Sequence, residues 1–402
     1  MQRRIEFSPP DIGQLEIDEV TAVLRSGWIT TGQKTRQFER ELAAFCGTER
    51  VVCLNSATAA LELTLRVLGI GAGDEVITSP YTYSASASVI LHVGAIPVFV
   101  DTAPNSFLID CNQVQKAFTR KTKAVIGVDV AGMMCDYRHL IDIVKVKSPL
   151  FLPSSELQNA MGRAAVIADA AHSIGATTDA VPSGCAADLT AFSFHAVKNL
   201  TTAEGGAVTW RPMDGVDDEA LYRQFSLLAL HGQSKDAFAK ATLGGWEYDI
   251  LIPGYKHNLP DVLAAIGVAQ LSRYPAMLTR RTELVANYDS LLTDNCFILP
   301  KHSTETSQSS RHLYPVRIKG CEEHSRNRII QSLSEKGISA NVHYKPLPML
   351  TAYKKLGYRI ADYPNAFEQY QNEITLPLHT LLTDDDVSYV AQGFIDACDE
   401  VL

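Results

Sequence analysis

From Glu49 to Trp210 the sequence alternates short β-branched and aliphatic runs with stretches of helical periodicity, and this alternation constrains the fold most tightly. RVVCLN (residues 50–55) reads as a buried strand and ATAALELTLRVL (57–68) as a helix; GIGAGDE is a turn, VITS a strand and YSASASVILHV a helix. IPVFVD, AVIGVDV, AVIAD, LTAFSFH and GGAVTW are further strands, most of them separated by helical segments. Near-continuous apolar runs are the signature of strands covered on both faces, so the pattern predicts an α/β fold with a mainly parallel sheet between helices. Right-handed crossovers would put the C-terminal ends of those strands on one edge, where such sheets bind ligands.

After about Ser272 the texture changes. PAMLTRRTELVANYDSLL reads as an amphipathic connecting helix. HLYPVRI (strand), EEHSRNRIIQSLSEKG (helix), ISANVHYK (strand) and a last helix near Asp385–Asp399 predict a smaller α/β domain. The expected division is therefore residues 1–271 and 272–402. KSPLFLPSSELQNAMGR, Lys147 to Arg163, has no clear periodicity and reads as a surface insertion.

A formal net charge of −9 argues against nucleic acid or an anionic membrane as the main partner. The N-terminus has arginines but no apolar stretch behind them, and the most apolar segment, Ala85–Val100, is broken by His92, Gly94 and Pro97, so a cytoplasmic protein is expected. The eight cysteines are scattered without metal-ligand spacing, which makes reduced thiols the expectation and structural zinc or disulfides improbable.

Three features carry chemistry. Lys198 stands nearly alone among small and hydroxylated residues in SFHAVKNLTTAEGGAV, in the turn between two apolar strands. Asp169 closes the strand AVIAD, either as a helix cap or as a functional anion. NSATAAL (55–61) runs from a strand into a helix whose first amides would form an anion seat or a simple cap. GIGAGD at 69–74 follows a helix and precedes a strand, the reverse of a dinucleotide fingerprint, and His195 lacks a second ligand at helical spacing. An isolated lysine, an aspartate on a neighbouring strand end and a phosphate seat together suit pyridoxal 5′-phosphate, which needs an amine for its aldehyde and an anion beside its pyridine nitrogen. Ser193 could add a phosphate donor, and Tyr83 in SPYTYSAS an aromatic face for the ring.

The stretches SGWITTG, DAAHSIGA, SFHAVKNLTTAEGGAV, GYKHNLPDVLAAIGVAQL and VHYKP, in this order along nearly the whole chain, resemble the DegT/StrS family of sugar aminotransferases. The resemblance implies a fold type I pyridoxal-phosphate enzyme with a seven-stranded large domain. It assigns Lys198 to the cofactor's aldehyde and to proton transfer, Asp169 to the pyridine nitrogen and His172 to the phenolic oxygen. Ala57, Thr58 and Ser193 fall on the phosphate-binding positions, and Tyr83 on the stacking aromatic.

Family members are homodimers whose sites are completed by the neighbouring subunit. Many read GYNYR where this chain reads GYKHN (254–258), which leaves Lys256 and Asn258 as candidates for the partner's phosphate, Asn258 being favoured. The substrate end is expected at Trp28, Ile29, Thr30 and Thr31 and at His343 to Lys345, including Tyr344. Because the lysine is kept, the implied reaction is transamination from L-glutamate to a nucleotide-linked keto-sugar. FHAVKNLTTAEGG and PGYKHNLPD look most like members acting at C4 of a UDP-sugar in amino-sugar and surface-polysaccharide synthesis. dTDP-linked 3- or 4-keto-6-deoxyhexoses are the alternative, and a non-catalytic cofactor-binding regulator the remote one.

Overall fold

The computed structural model describes residues 3–235 and 246–402. Two helices, α1 (Gln14–Ser26) and α2 (Gln33–Cys46), precede β1 (Val51–Leu54). There follow α3 (Ala57–Val67), β2 (Glu75–Thr78), α4 (Ala85–His92), β3 (Ile96–Phe99), β4 (Thr122–Val128), α5 (Glu156–Met161), β5 (Ala165–Asp169), β6 (Leu189–Ser193) and β7 (Gly206–Trp210). They form a seven-stranded sheet in the order β1-β7-β6-β5-β4-β2-β3. Only β7 runs antiparallel to its neighbours, pairing Val51 with Thr209 on one side and Ser193 with Gly206 on the other.

Successive side chains of a strand point to opposite faces, and both faces of this sheet are buried. Val51 and Cys53 of β1, with Val166 and Ala168 of β5, pack into a core that includes Phe38 and Leu42 of α2. Val52 and Leu54, with Ala165 and Ile167, pack into a second core with Leu61 and Leu65 of α3 and Ile90 of α4. This double burial is why the strands read as unbroken apolar runs.

The helix expected from Pro275 begins earlier: α6 is one element, Asp261–Leu291, with Pro275 inside it. The expected domain boundary at 271/272 thus falls within a helix. Its first half packs Ala264 and Val268 onto the large sheet, and its second half packs Leu284 and Tyr288 into a third core. That core covers a three-stranded antiparallel sheet, β8 (Phe297–Ile298), β9 (Tyr314–Ile318) and β10 (Glu373–Leu376), with α7 (Glu323–Glu335) and α8 (Asp384–Val401).

The expected strand over 338–345 is not formed. Only Ile338 and Asn341 make single bridges, to Ile5 and Thr375, and the chain then turns towards the large sheet, where the carbonyl of His343 accepts from Tyr81 Oη at 2.8 Å. The strand beside β9 is instead β10, concealed in the sequence by its buried Glu373. Lys147–Arg163 is not a loose insertion. Phe151 is buried in the first core, and Ser155 Oγ and Gln158 Nε2, in and before α5, both donate to the Leu68 carbonyl at the end of α3, at 2.8 Å each. Among the described residues all eight cysteines are free thiols, and no helix is long and apolar enough to cross a membrane.

Candidate active site

The C-terminal edge of the large sheet collects the ends of β1, β2, β4, β5 and β6 around a cavity of about 500 Å³. Ala57, Thr58, Tyr83, Asp169, His172, Ser193, Lys198, His343 and Tyr344 all line it, as do Asp129 and Glu204.

Ser56 adopts an extended conformation and its hydroxyl accepts from the Ala59 amide at 3.1 Å, so it caps α3. The amides of Ala57 and Thr58 come before the first intrahelical bond, and the helix dipole adds partial positive charge at this end. This end of the cavity favours an anion.

Asp169 closes β5 and is 6% exposed. It accepts from Ser86 Oγ of α4 at 2.6 Å and from the Ala171 amide at 3.3 Å. Burial raises its pKa, against the pull of these two donors and of the Lys198 charge. Lys198 follows a tight turn in which its amide donates to the His195 carbonyl at 2.9 Å. Burial pushes its ammonium down to about 8, and the opposing attraction of Asp169 is smaller. The lysine is thereby brought close to the neutral, nucleophilic form.

His172 is a neutral ring whose tautomer follows from its neighbours. Nδ1 accepts from the Ala131 amide at 3.3 Å, so the single ring proton lies on Nε2, 2.9 Å from Tyr344 Oη. Burial, then the charge of Lys198, holds its pKa well below the usual histidine value. Its ring lies 4.3 Å from that of His312. The Asn199 amide donates to the Ser310 carbonyl at 2.8 Å, leaving Oδ1 to accept from His312 Nδ1 at 2.8 Å. The segment entering β9 therefore braces both His172 and the residue next to Lys198.

Other expected residues lie elsewhere. Tyr83 is 69% exposed at the cavity, its ring 6.4 Å from Tyr344. Trp28, Ile29, Thr30 and Thr31 form the loop between α1 and α2, and none of them lines the Lys198 cavity of the same chain; neither do Lys256 and Asn258. Thr31 Oγ1 donates to the Leu259 carbonyl at 2.6 Å and accepts from Asn258 Nδ2 at 2.7 Å, while Lys256 Nζ bonds Asn258 Oδ1. His195 is half exposed beside Glu204, and no metal-holding cluster occurs among the described residues. Sequence reasoning did not single out Ser86, Asn199 or His312. The polar residues of the helix YSASASVILHV were a weak signal for Ser86, and an isolated histidine opening the strand HLYPVRI was one for His312.

The donor set fits pyridoxal phosphate. A buried carboxylate whose burial disfavours its charge gains from a protonated pyridine nitrogen. The start of α3, with the hydroxyls of Thr58 and Ser193, offers donors to a phosphate, and Lys198 offers an amine that forms no ion pair among the described residues.

A model of the DegT/DnrJ/EryC1/StrS aminotransferase family matches residues 10–394. The spore coat polysaccharide biosynthesis protein SpsC of Bacillus subtilis (strain 168) is 38% identical over 403 residues, covering 98% of each chain. Among solved structures, Spr1654 of Streptococcus pneumoniae, assigned as a sugar aminotransferase, superposes in its PMP form with a TM-score of 0.97 at 52% identity, covering 99% of this chain and 100% of the other. Its PLP form superposes at 0.96 and 50% identity, covering 100% of both. PseC of Helicobacter pylori, an aminotransferase of pseudoaminic acid biosynthesis, has a TM-score of 0.87 at 30% identity, covering 99% and 100%.

Proposed function

Given that the chain belongs to the DegT/DnrJ/EryC1/StrS aminotransferase family, and so is a pyridoxal-phosphate-dependent sugar aminotransferase, we propose that it moves the amino group of L-glutamate to C4 of a UDP-linked 4-keto sugar destined for a surface polysaccharide. The observation that carries this reading is the single cavity in which a lysine of depressed pKa, a buried carboxylate and a free helix start face one another. The roles of SpsC in spore coat polysaccharide biosynthesis and of PseC in pseudoaminic acid biosynthesis support the substrate class. The segments FHAVKNLTTAEGG and PGYKHNLPD support the UDP-linked C4 choice.

In this reading Ala57, Thr58 and Ser193 hold the cofactor's phosphate, Tyr83 covers its ring, and Asp169 keeps its pyridine nitrogen protonated. When bound, pyridoxal phosphate supplies an electrophilic carbon for amines and an electron sink. Lys198 Nζ supplies the amine that holds the cofactor. Once displaced by the amino donor, it takes the proton from the donor's α-carbon, and in the second half of the cycle it returns a proton to the sugar carbon that receives nitrogen. Holding this amine beside whichever carbon is reacting makes each proton transfer effectively intramolecular, which lowers its barrier by several kcal/mol. His172 directs its Nε2 proton to Tyr344 Oη and so sets the orientation of that hydroxyl in the cavity.

The test is a two-stage assay. Purified protein loaded with pyridoxal phosphate is treated with L-glutamate, and loss of visible absorbance is followed together with 2-oxoglutarate release. The amine-loaded protein is then offered UDP-4-keto, dTDP-keto and simple keto-acid acceptors. Stoichiometric amination of the UDP-4-keto sugar is expected; amination of a keto-acid alone, or of dTDP-sugars alone, overturns the substrate assignment.

A further inference from the structure

His343 is held at four points, more than a residue that merely lines a cavity requires. Its amide donates to Glu373 Oε2 at 2.9 Å, its carbonyl accepts from Tyr81 Oη at 2.8 Å, and Phe7 stacks on its ring at 5.5 Å. The fourth point is Nδ1, 3.0 Å from Thr375 Oγ1. Thr375 Oγ1 in turn donates to Glu373 Oε1, closing a relay from a wholly buried carboxylate in β10 to an imidazole at the cavity wall. Nε2 has no hydrogen-bond partner among the described residues.

We propose that Thr375 and Glu373 are positioning residues that, with Glu373 ionised, fix the proton of His343 on Nδ1, so that Nε2 faces the cavity as an acceptor for a hydroxyl of the amino acceptor. The inference rests on the sugar reading above for the identity of that hydroxyl.

The direction of the relay follows from donor and acceptor inventories. An ionised carboxylate only accepts, so the one hydrogen of the Thr375 hydroxyl goes to Glu373. The remaining function of Oγ1 towards the ring is to accept, which requires the proton on Nδ1. Burial, reinforced by the charge of Lys198, pushes His343 down to about 3, so the ring is neutral and its second nitrogen is bare.

The charge on Glu373 therefore matters. Burial raises this carboxyl to about 8, while Thr375, the His343 amide, Arg326 of α7 and Arg317 of β9 pull it down; Tyr81 and Tyr344 are the other titratable groups facing it. Above that titration Nε2 accepts. Below it both relay bonds reverse, and Nε2 carries the proton. A sugar hydroxyl pairs with bare Nε2 and would be discriminated from an analogue lacking it, because the acceptor would be left unpaired.

The experiment uses the holoenzyme labelled with 15N-histidine, at a pH above the Glu373 titration, with a His343→Gln sample to assign the resonances. The wild type is expected to show protonated Nδ1 and bare Nε2. In Glu373→Gln the amide must donate to Thr375, which turns the hydroxyl towards Nδ1 and moves the ring proton to Nε2. Thr375→Val, nearly isosteric, is expected to raise KM for the keto-sugar about tenfold without an equal rise for the amino donor, and Thr375→Ser to restore it. The same tautomer in wild type and Glu373→Gln overturns the proposal, as does a Thr375→Val effect shared equally by both substrates. Should Thr375→Val not fold, Glu373→Gln alone decides, since it keeps the volume and an acceptor for the His343 amide. Failure of the sugar reading would look different: a wild-type enzyme that accepts no keto-sugar, whatever the tautomer.

Discussion

The lysine that joins the cofactor must be neutral to react, and the surroundings of Lys198 bring that state closer without a dedicated base. Burial pushes its pKa from 10.5 to about 8, and Asp169 recovers only part of the shift. Since the folded value lies below the ordinary one, the ammonium is disfavoured, and deprotonation occurs at a lower pH than for an exposed lysine. The rate at which cofactor-free protein takes up pyridoxal phosphate, followed by visible absorbance, is expected to rise with pH through about 8 and then level off. A rise continuing to the pH of an ordinary lysine would place Lys198 in water rather than in this cavity. The isolation of Lys198 in a turn was legible in the sequence. The Ser86 hydroxyl on Asp169 was not, because the two lie 83 positions apart and no local spacing encodes their meeting.

At the level of elements, the start of α3 depends on β7. Gly206 is the first residue of β7, and a Cβ there would overlap the Ser56 carbonyl carbon and the Ala57 amide nitrogen, which are backbone atoms without a rotamer to yield. Gly206→Ala is therefore expected to displace the Ala57 and Thr58 amides and to weaken retention of pyridoxal phosphate by at least tenfold, about 1.4 kcal/mol. Equilibrium dialysis measures this, and wild-type retention by a folded variant would show that the helix start does not seat the phosphate. The second glycine of AEGGAV thus has a steric reason in the fold. The strands of the large sheet were readable because burial on both faces writes them as apolar runs. β10 escaped because its buried polar residues, Glu373 and Thr375, answer to His343 rather than to a hydrophobic face. Residues 338–345 looked like a strand by composition, but His343 and Tyr344 are drawn to the large sheet by Tyr81 and His172. Pro275 suggested a helix start, yet the packing of both halves of α6 onto different cores carries the helix through it.

At the scale of the whole molecule, one chain leaves Asn258 and the Trp28–Thr31 loop outside the cavity that holds Lys198. They are bonded to each other through Thr31, and the segment that leads to Asn258 in the sequence exposes Trp246, Ile250 and Leu251, at 78%, 50% and 58%. Three large apolar side chains exposed within six residues of one segment suit a covering partner. We propose that a second copy of the chain is that partner and that Asn258 thereby reaches the neighbour's phosphate seat. The arrangement has a consequence that no single-chain site shares. Lys198→Ala removes the lysine of its own cavity but keeps Asn258 for its neighbour, and Asn258→Ala does the reverse. Each variant alone is expected to be impaired, while mixed dimers contain one cavity with both residues intact. Refolding or co-expressing the two should recover sugar amination well above either parent. Lys198→Ala mixed with Asp169→Asn serves as the control, because both residues line the same cavity in one chain and no mixed dimer restores an intact pair. Recovery in the first mixture alone requires a shared site; no recovery in either would assign Asn258 to its own subunit, with the loop at Thr31 as its only role.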